Sequence, residues 1–593
     1  MRMDDETRLR GVAVSPGIVI GKAYVRQPEE VVVPNFVVDA SKVDDEIARF
    51  HAALAHTRKQ IEETQKRLED KMGEDHAKIF DAHLLVLEDT MALQDTEQLI
   101  RERLMCAEFA FNRVIGRILD SFDQIGDPYL RERRADIQDV RRRLLRALTG
   151  QEVKSFGALN QESVIVAHDL LPSDTAMIDR RFVLGIATDL GGRTSHAAIL
   201  ARSYGIAAVV GVDDLSQKAR HGDRIIVDGN QGTVVLRPTD ATVREFEQAR
   251  QRFVELERQL LTLKEFPAIT LDGRKIELSA NIKSPEDAQL AVAKGARGVG
   301  LYRTEYFFLT RNDLPTEDEQ VVEYRRVLTE MAPDTVIFRT LDIGGDKFAS
   351  YLGPGASELN PFLGWRGIRF LLTRHDIFRT QLRAFFRAST AGSLKIMFPM
   401  ITGLEEVRAA RRLVEEVKKE LTAEGDAFDP KVEVGIMIET PGAVAIADLL
   451  ARETDFFSIG SNDLIQYTLA VDRGNARINY LYEPMHPSVL RFIRNTVEAG
   501  HAHDIWVGMC GEVAGDPLYS VLLVGLGLDE LSISAYMIPE VKRIIRSITY
   551  DEAKMLVRKA MGLSTAAEIR HLVASVMHER FPELVGEDTE GEA

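Results

Sequence analysis

From Pro267 onward, eight short apolar runs alternate with helical segments, and few folds accommodate that rhythm. The runs are Ile276–Asn281, Gly298–Arg303, Thr335–Thr340, Lys395–Met400, Val434–Glu439, Phe456–Gly460, Ile505–Cys510 and Glu530–Ser534. Eight strands alternating with helices over roughly 300 residues predict a closed (β/α)8 barrel, a TIM barrel. An open, doubly wound sheet is the competing architecture. The residues at the strand ends favour the barrel, whose chemistry sits where strands give way to loops. Those ends carry Asn281, Arg303, Arg339, Glu439, Asn462 with Asp463, and Cys510. Arginine forks match carboxylate and phosphate oxygens, so the two arginines point to a doubly anionic ligand. Either acid alone would also suit a salt bridge at a barrel mouth. Together, Glu439 and Asp463 offer hard oxygens of the kind Mg²⁺ takes, with substrate and water completing its shell. Cys510 lies between glycines and beside Glu512, which favours a reactive thiol over a small buried hydrophobe. Cys106 sits at helical spacing among apolar residues and reads as core.

The chain upstream is organised differently. Gly11–Gly21 reads as strand, Pro-Gly turn and strand. From Ser41 to Gly150 apolar residues recur at helical spacing, which predicts a bundle. Ser163–Leu236 returns to short apolar runs between glycine turns, a small α/β unit that the first strands are expected to complete. The bundle is then an insertion. Residues 241–264 read as one charged helix, a spacer of roughly 36 Å at 1.5 Å per residue. The expected division is 1–40 with 151–238 for the α/β domain and 41–150 for the inserted helices. A linker at 239–266, the barrel at 267–575 and a tail at 576–593 follow.

Inside the α/β unit, Gly191-Gly192-Arg193-Thr194-Ser195-His196 frees the backbone and offers Thr194 or Ser195 as a helix cap. A helix N-terminus there would suit a phosphate, and His196 could act as a nucleophile. The formal charge of −17 argues against nucleic acid or an anionic membrane as a partner. Two cysteines without paired spacing imply a reducing compartment. The charged N-terminus and the lack of a long apolar run lead to the expectation of a cytoplasmic chain.

The motifs taken together resemble Enzyme I of the bacterial phosphoenolpyruvate-dependent phosphotransferase system. Besides the histidine segment they comprise Gly300–Glu305, Arg339–Lys347, Asn360–Arg366, Gly435–Glu439, Ser461–Thr468, Val471–Asn475 and Gly508–Glu512, in family order. The resemblance implies a swivelling phosphohistidine domain, an inserted helical domain that docks the carrier protein HPr, a linker, and a barrel that forms a homodimer. It implies that Arg303, Arg339 and Arg473 hold phosphoenolpyruvate, with Asn462, Asp463, Arg366 and Lys347 as further contacts. Glu439 and Asp463 would ligate Mg²⁺, Cys510 would protonate C3 of enolpyruvate, and His196 would accept the phosphoryl group. The acidic stretch Asp81–Asp89 is expected to form part of the HPr face, although its charges also suit a solvated helix surface. Pyruvate phosphate dikinase and phosphoenolpyruvate synthase share the two catalytic modules but need a nucleotide-binding domain, and no Gly-rich phosphate loop precedes His196. A nitrogen-linked relative would be expected to carry a sensory domain before Gly11. A purely regulatory homologue would lack some of His196, Glu439, Asp463 or Cys510, and all four are present.

Overall fold

The computed structural model describes residues 6–26, 32–72, 79–123, 128–151, 161–170, 174, 180–192, 195, 197–198, 200–201, 205–309, 311, 313–344, 360–473, 475 and 478–582. It divides into two compact units, Met1–Leu256 and Glu257–Ala593.

In the first unit, strands β1 (Thr7–Arg10), β2 (Val12–Ser15) and β3 (Ile18–Arg26) share one sheet with β4 (Ser163–Ala167), β5 (Val183–Thr188), β6 (Ala207–Val210), β7 (Arg224–Asp228) and β8 (Thr233–Leu236). The order is β1-β8-β7-β3-β4-β5-β6-β2, with β3 parallel to β4 and antiparallel to β7. The N-terminal strands therefore do complete the later sheet. Its middle strands are buried on both faces, which is why they read as unbroken runs of Val, Ile and Ala.

The helices Val43–Met72, Ile79–Leu87, Thr90–Arg103, Ala107–Asp123 and Pro128–Thr149 fall between β3 and β4. They bury their own core around Phe50, Ile61, Phe80, Ile100 and Leu144. Cys106 is fully buried at one edge of it, as expected of a core cysteine. Two carboxylates of the acidic stretch 81–89 are committed to structure. Glu88 pairs with Arg58 at 2.5 Å, and Asp89 caps Thr90–Arg103 by accepting from the Ala92 N–H at 2.9 Å. His83 of that stretch is wholly buried, 3.3 Å from Asp136. The helix Asp240–Thr262 occupies the stretch read as a spacer.

The second unit is a closed barrel of eight parallel strands. They are β9 (Glu277–Ile282), β10 (Val299–Arg303), β11 (Val336–Arg339), β12 (Leu394–Phe398), β13 (Glu433–Ile438), β14 (Phe456–Ile459), β15 (Trp506–Met509) and β16 (Glu530–Ile533). Closure is made by β16 against β9, with Glu530 opposite Glu277. Each expected strand is present, trimmed or shifted by a residue or two. Alternate residues point outward into the layer beneath the helices, such as Leu278, Ala280, Ile436 and Ile438. The others fill the interior, where Leu301, Ile337, Met397, Met437, Phe456 and Cys510 form one cluster. At the N-terminal end Phe456 and Trp506 stack at 4.6 Å, with the Lys395 ammonium 4.9 Å over the indole.

Glu530 stands in this interior and is 6% exposed. Burial pushes its carboxyl up to about 7, against the lowering effects of Ser279 and Lys395. The folded chain thus holds a proton that the unfolded chain, with an ordinary value of 4.5, has released. The associated stability is fully present below about 4.5 and is lost as pH rises through about 7. The loss amounts to on the order of 3 kcal/mol. Glu530→Gln should flatten this dependence and gain stability relative to the parent in denaturant titrations above pH ~8. Parallel curves for the two proteins from pH ~5 to ~9 would contradict the assignment.

Candidate active site

The C-terminal ends of the barrel strands bring most of the expected site residues to one mouth. Asn281 lies near the end of β9, Arg303 ends β10 and Arg339 ends β11, while Glu439 and Cys510 follow β13 and β15 directly. Asn462 and Asp463 open the helix Ser461–Leu469 that leaves β14, and Arg473 lies just past that helix. Arg366 comes from a loop and reaches the same mouth through a bridge between its backbone and Gly344.

These side chains form a connected charge network. Arg366 Nη2 lies 2.7 Å from Asp342 Oδ2 and 3.0 Å from Asp463 Oδ2. Arg339 Nη1 lies 3.0 Å from the same Asp342 oxygen, and its other nitrogen pairs with Glu305. Arg473 Nη2 stands 3.6 Å from Asp463 Oδ1. Burial alone would lower the Arg366 guanidinium, but Asp342 and Asp463 outweigh it and raise its affinity for its proton. Arg303 is reachable by solvent, yet loss of hydration and the neighbouring Arg339 lower its value. A further anion beside it would relieve its repulsion from Arg339 and Arg473.

Glu439 is 2% exposed and accepts from the Met400 N–H at 2.6 Å. Burial, then the nearby Asp463 and Asp342, push its carboxyl well above the ordinary range. A cation between these carboxylates would reverse that push. Asp463 Oδ1 is buried without a hydrogen-bond partner, as suits a position that offers an oxygen to a metal. No cluster of three or more His, Cys, Asp or Glu that could hold a metal occurs among the described residues. Glu439 and Asp463 by themselves are a carboxylate pair of the kind a hard divalent cation takes when ligand oxygens complete its shell.

Cys510 is 2% exposed, and burial pushes its thiol up to about 11 despite Ser458, Arg339 and Arg303. It is accordingly a protonated thiol at neutral pH, able to give a proton rather than to attack. Its carbonyl accepts from Asn281 Nδ2 at 3.0 Å. Asn462 and Glu512 brace one another, with the Glu512 N–H donating to Asn462 Oδ1 at 2.9 Å and Asn462 Nδ2 donating to Glu512 Oε1 at 3.2 Å.

In the first unit, Gly191 adopts φ 118° in the loop that follows β5, and a Cβ there would stand 2.9 Å from Ser195 Oγ. Ser195 Oγ accepts from the Ala198 N–H at 3.4 Å, so the serine caps the helical residues that follow. Asp189 braces the loop, pairing with His168 at 2.9 Å and accepting from Ser216 Oγ at 2.5 Å. His196 and Lys347 lie outside the described residues, as does Thr194.

Strand-end reasoning missed Asp342 and Glu305. Asp342 lies in the Arg339-Thr-Leu-Asp342 segment, three residues beyond a strand-end arginine, and that spacing is the signal that could have found it. Glu305 follows Arg303 by two residues but serves Arg339 of the neighbouring strand, which no local pattern shows.

Three family models match the chain: the N-terminal domain of PEP-utilising enzymes over residues 10–133, their mobile domain over 159–232 and their PEP-binding domain over 257–550. The chain is 43% identical over 571 residues to the phosphoenolpyruvate-protein phosphotransferase of Haemophilus influenzae, covering 96% of this chain and 99% of the relative. It is 45% identical over 565 residues to the enzyme of that name from Geobacillus stearothermophilus, covering 95% of this chain and 97% of the relative. With that identity along nearly the whole of both sequences, and a barrel mouth furnished with arginines, paired carboxylates and a protonated thiol, the chain belongs to the phosphoenolpyruvate-protein phosphotransferase family, Enzyme I.

Proposed function

We propose that this phosphotransferase binds phosphoenolpyruvate at the barrel mouth, takes its phosphoryl group onto His196 and delivers it to HPr. The observation that carries this reading is the convergence of Arg303, Arg339, Arg366 and Arg473 with Asp342, Glu439 and Asp463 around Cys510. Arg339, Arg366 and Arg473 are held by carboxylates, so an incoming doubly charged ligand exchanges one set of anions for another at these three. Arg303, Arg339 and Arg473 would hold phosphate and carboxylate, with Asn462, Arg366 and Lys347 orienting them. Mg²⁺, held by Glu439 and Asp463, would supply neutralisation of the transferring group's charge. His196, the residue after the capping Ser195 in the sequence, would attack phosphorus in line. Cys510 would then give its proton to C3 of enolpyruvate, releasing pyruvate.

Assembly as a homodimer through the barrel belongs to the same reading and rests on family membership. A reducing, cytoplasmic setting is supported by the two free cysteines. No helix among the described residues is long and apolar enough to cross a membrane.

Cys510→Ala separates the two chemical events. Pyruvate formation from phosphoenolpyruvate should fall at least about 10²-fold, as loss of a general acid does. Phosphoryl exchange between preformed phosphohistidine and HPr should stay at the parent rate, because it protonates no carbon. Rapid-quench assays of pyruvate and of protein-bound phosphate read both, and equal loss in both would make Cys510 structural.

A further inference from the structure

One row of the barrel interior is polar where this fold ordinarily packs branched aliphatic side chains. Ser458 on β14 stands opposite Gly508 on β15, which in turn stands opposite Glu530 on β16. The first two face inward in step with Phe456, Trp506 and Cys510 of the same strands. Glu530 does so because Leu531 and Ile533, the positions that alternate with it, lie in the outward layer. Gly508 contributes no side chain, so the serine and the glutamate face each other across its Cα. A Cβ at Gly508 would stand 2.8 Å from Glu530 Oε2, and one at Gly300 would stand 2.8 Å from Oε1. Those two glycines make the room in which a carboxyl fits.

Ser458 is 0% exposed, and neither its Oγ nor Glu530 Oε2 has a nitrogen or oxygen partner. Two unpartnered buried polar atoms in one row are unusual in a native interior and call for a role. Cys510 lies two residues beyond Gly508, just past the same strand, and the Ser458 hydroxyl works against the burial that raises its thiol. The charged groups nearest the Glu530 carboxyl are Lys395 and Glu277, and Ser279 hydrogen-bonds to it. Lys395 pairs at 2.6 Å with the half-exposed Glu433 at the barrel floor, so that end communicates with solvent.

We propose that Glu530 and Ser458 form a proton relay that reloads the Cys510 thiol from the floor of the barrel, away from the substrate. The relay rests on Cys510 being the donor to carbon. When the Cys510 S–H bond breaks and the new C–H bond forms at C3, a thiolate remains. That thiolate takes the Ser458 Oγ proton, and Ser458 takes the Glu530 Oε2 proton, directly or through one water. The resulting carboxylate takes a proton from solvent at the N-terminal end, so the net change is one solvent proton delivered to carbon. Burial raises the Glu530 carboxyl well above the ordinary carboxylate range, so it holds a proton to pass on. Glu530 touches no substrate and acts only through Cys510, as a positioning residue for its proton.

The test counts cycles and proton trades separately. Parent, Glu530→Gln, Glu530→Asp, Ser458→Ala and Cys510→Ala proteins are incubated with phosphoenolpyruvate, Mg²⁺ and carbon-labelled pyruvate in heavy water. Carbon label entering phosphoenolpyruvate counts reaction cycles, which can reuse one proton held on Cys510. Deuterium at C3 counts how often that proton was traded with solvent. The ratio of deuterium to carbon label should fall at least about tenfold in Glu530→Gln and Ser458→Ala and recover in Glu530→Asp. A merely structural role would lower both counts in parallel, and that result overturns the relay. Cys510→Ala should lose both counts. If it does while Glu530→Gln keeps the parent ratio, the relay alone falls. If Cys510→Ala keeps both, the assignment of Cys510 falls and the relay with it. Denaturant titration at each pH confirms that the variants are folded.

Discussion

Asp463→Ala is expected to lower kcat/KM for phosphoenolpyruvate at least about 10³-fold and to raise the Mg²⁺ concentration needed for half-maximal activity. The side chain is 6% exposed and stands between Arg366, at 3.0 Å, and Arg473, at 3.6 Å. Its removal takes away an oxygen suited to the cation and frees two guanidinium groups from their anion at once. Arg366 would still hold Asp342 at 2.7 Å, so the fold should survive while the mouth loses its charge balance. Breaking a buried ion network by removing one partner costs about 3–5 kcal/mol, and here the freed arginines can take the substrate's own anions in exchange. The loss should therefore be felt most in the metal requirement and the rate, and less in stability. Glu439→Gln, which preserves shape and the bond from Met400 N–H, should show the same metal dependence. Parent activity in both variants at limiting Mg²⁺ would place the metal elsewhere.

The barrel was legible because its strands are buried on both faces and so stand out as unbroken apolar runs. The strand-end residues were legible for a related reason. Arg303, Arg339, Glu439 and Cys510 each follow such a run, where a core strand has no use for a charge or a thiol. What stayed hidden depends on chain paths that no local pattern encodes. Asp342 matters because the loop carrying Arg366 folds back to it, as the Gly344–Arg366 bridge shows. Glu530 reads in sequence as an unremarkable polar residue opening a strand. Its burial is created by Gly300 and Gly508 on other strands, which leave space for its carboxyl. In the acidic stretch at 81–89, two carboxylates have local partners that the sequence pattern does not reveal. Glu88 is taken by Arg58, and Asp89 by the helix that it caps.

His196→Ala should abolish phosphoryl uptake from phosphoenolpyruvate, a loss limited only by the sensitivity of the assay. The expected site is a loop-to-helix junction whose supports are other residues. Gly191 sets the turn, Ser195 caps the helical residues after it, and Asp189 ties the loop to His168 and Ser216. With the loop braced by these residues, the variant is expected to unfold at the parent temperature and denaturant concentration. Transfer from phospho-HPr should vanish with it, since both half-reactions use the one nitrogen nucleophile. A variant that unfolds early would show that the histidine is structural, and one that still takes up phosphate would place the acceptor elsewhere.

Locating the phosphoryl group itself tests the account most directly. The protein is incubated with phosphoenolpyruvate labelled in the phosphoryl group and Mg²⁺, digested at alkaline pH, and the labelled peptide is sequenced by mass spectrometry. A phosphoramidate is acid-labile and base-stable, so the label should survive alkali and be released by mild acid. The account predicts one labelled peptide, with the group on His196 and pyruvate released in equal amount. An acid-stable adduct, or label on any residue other than His196, would contradict it.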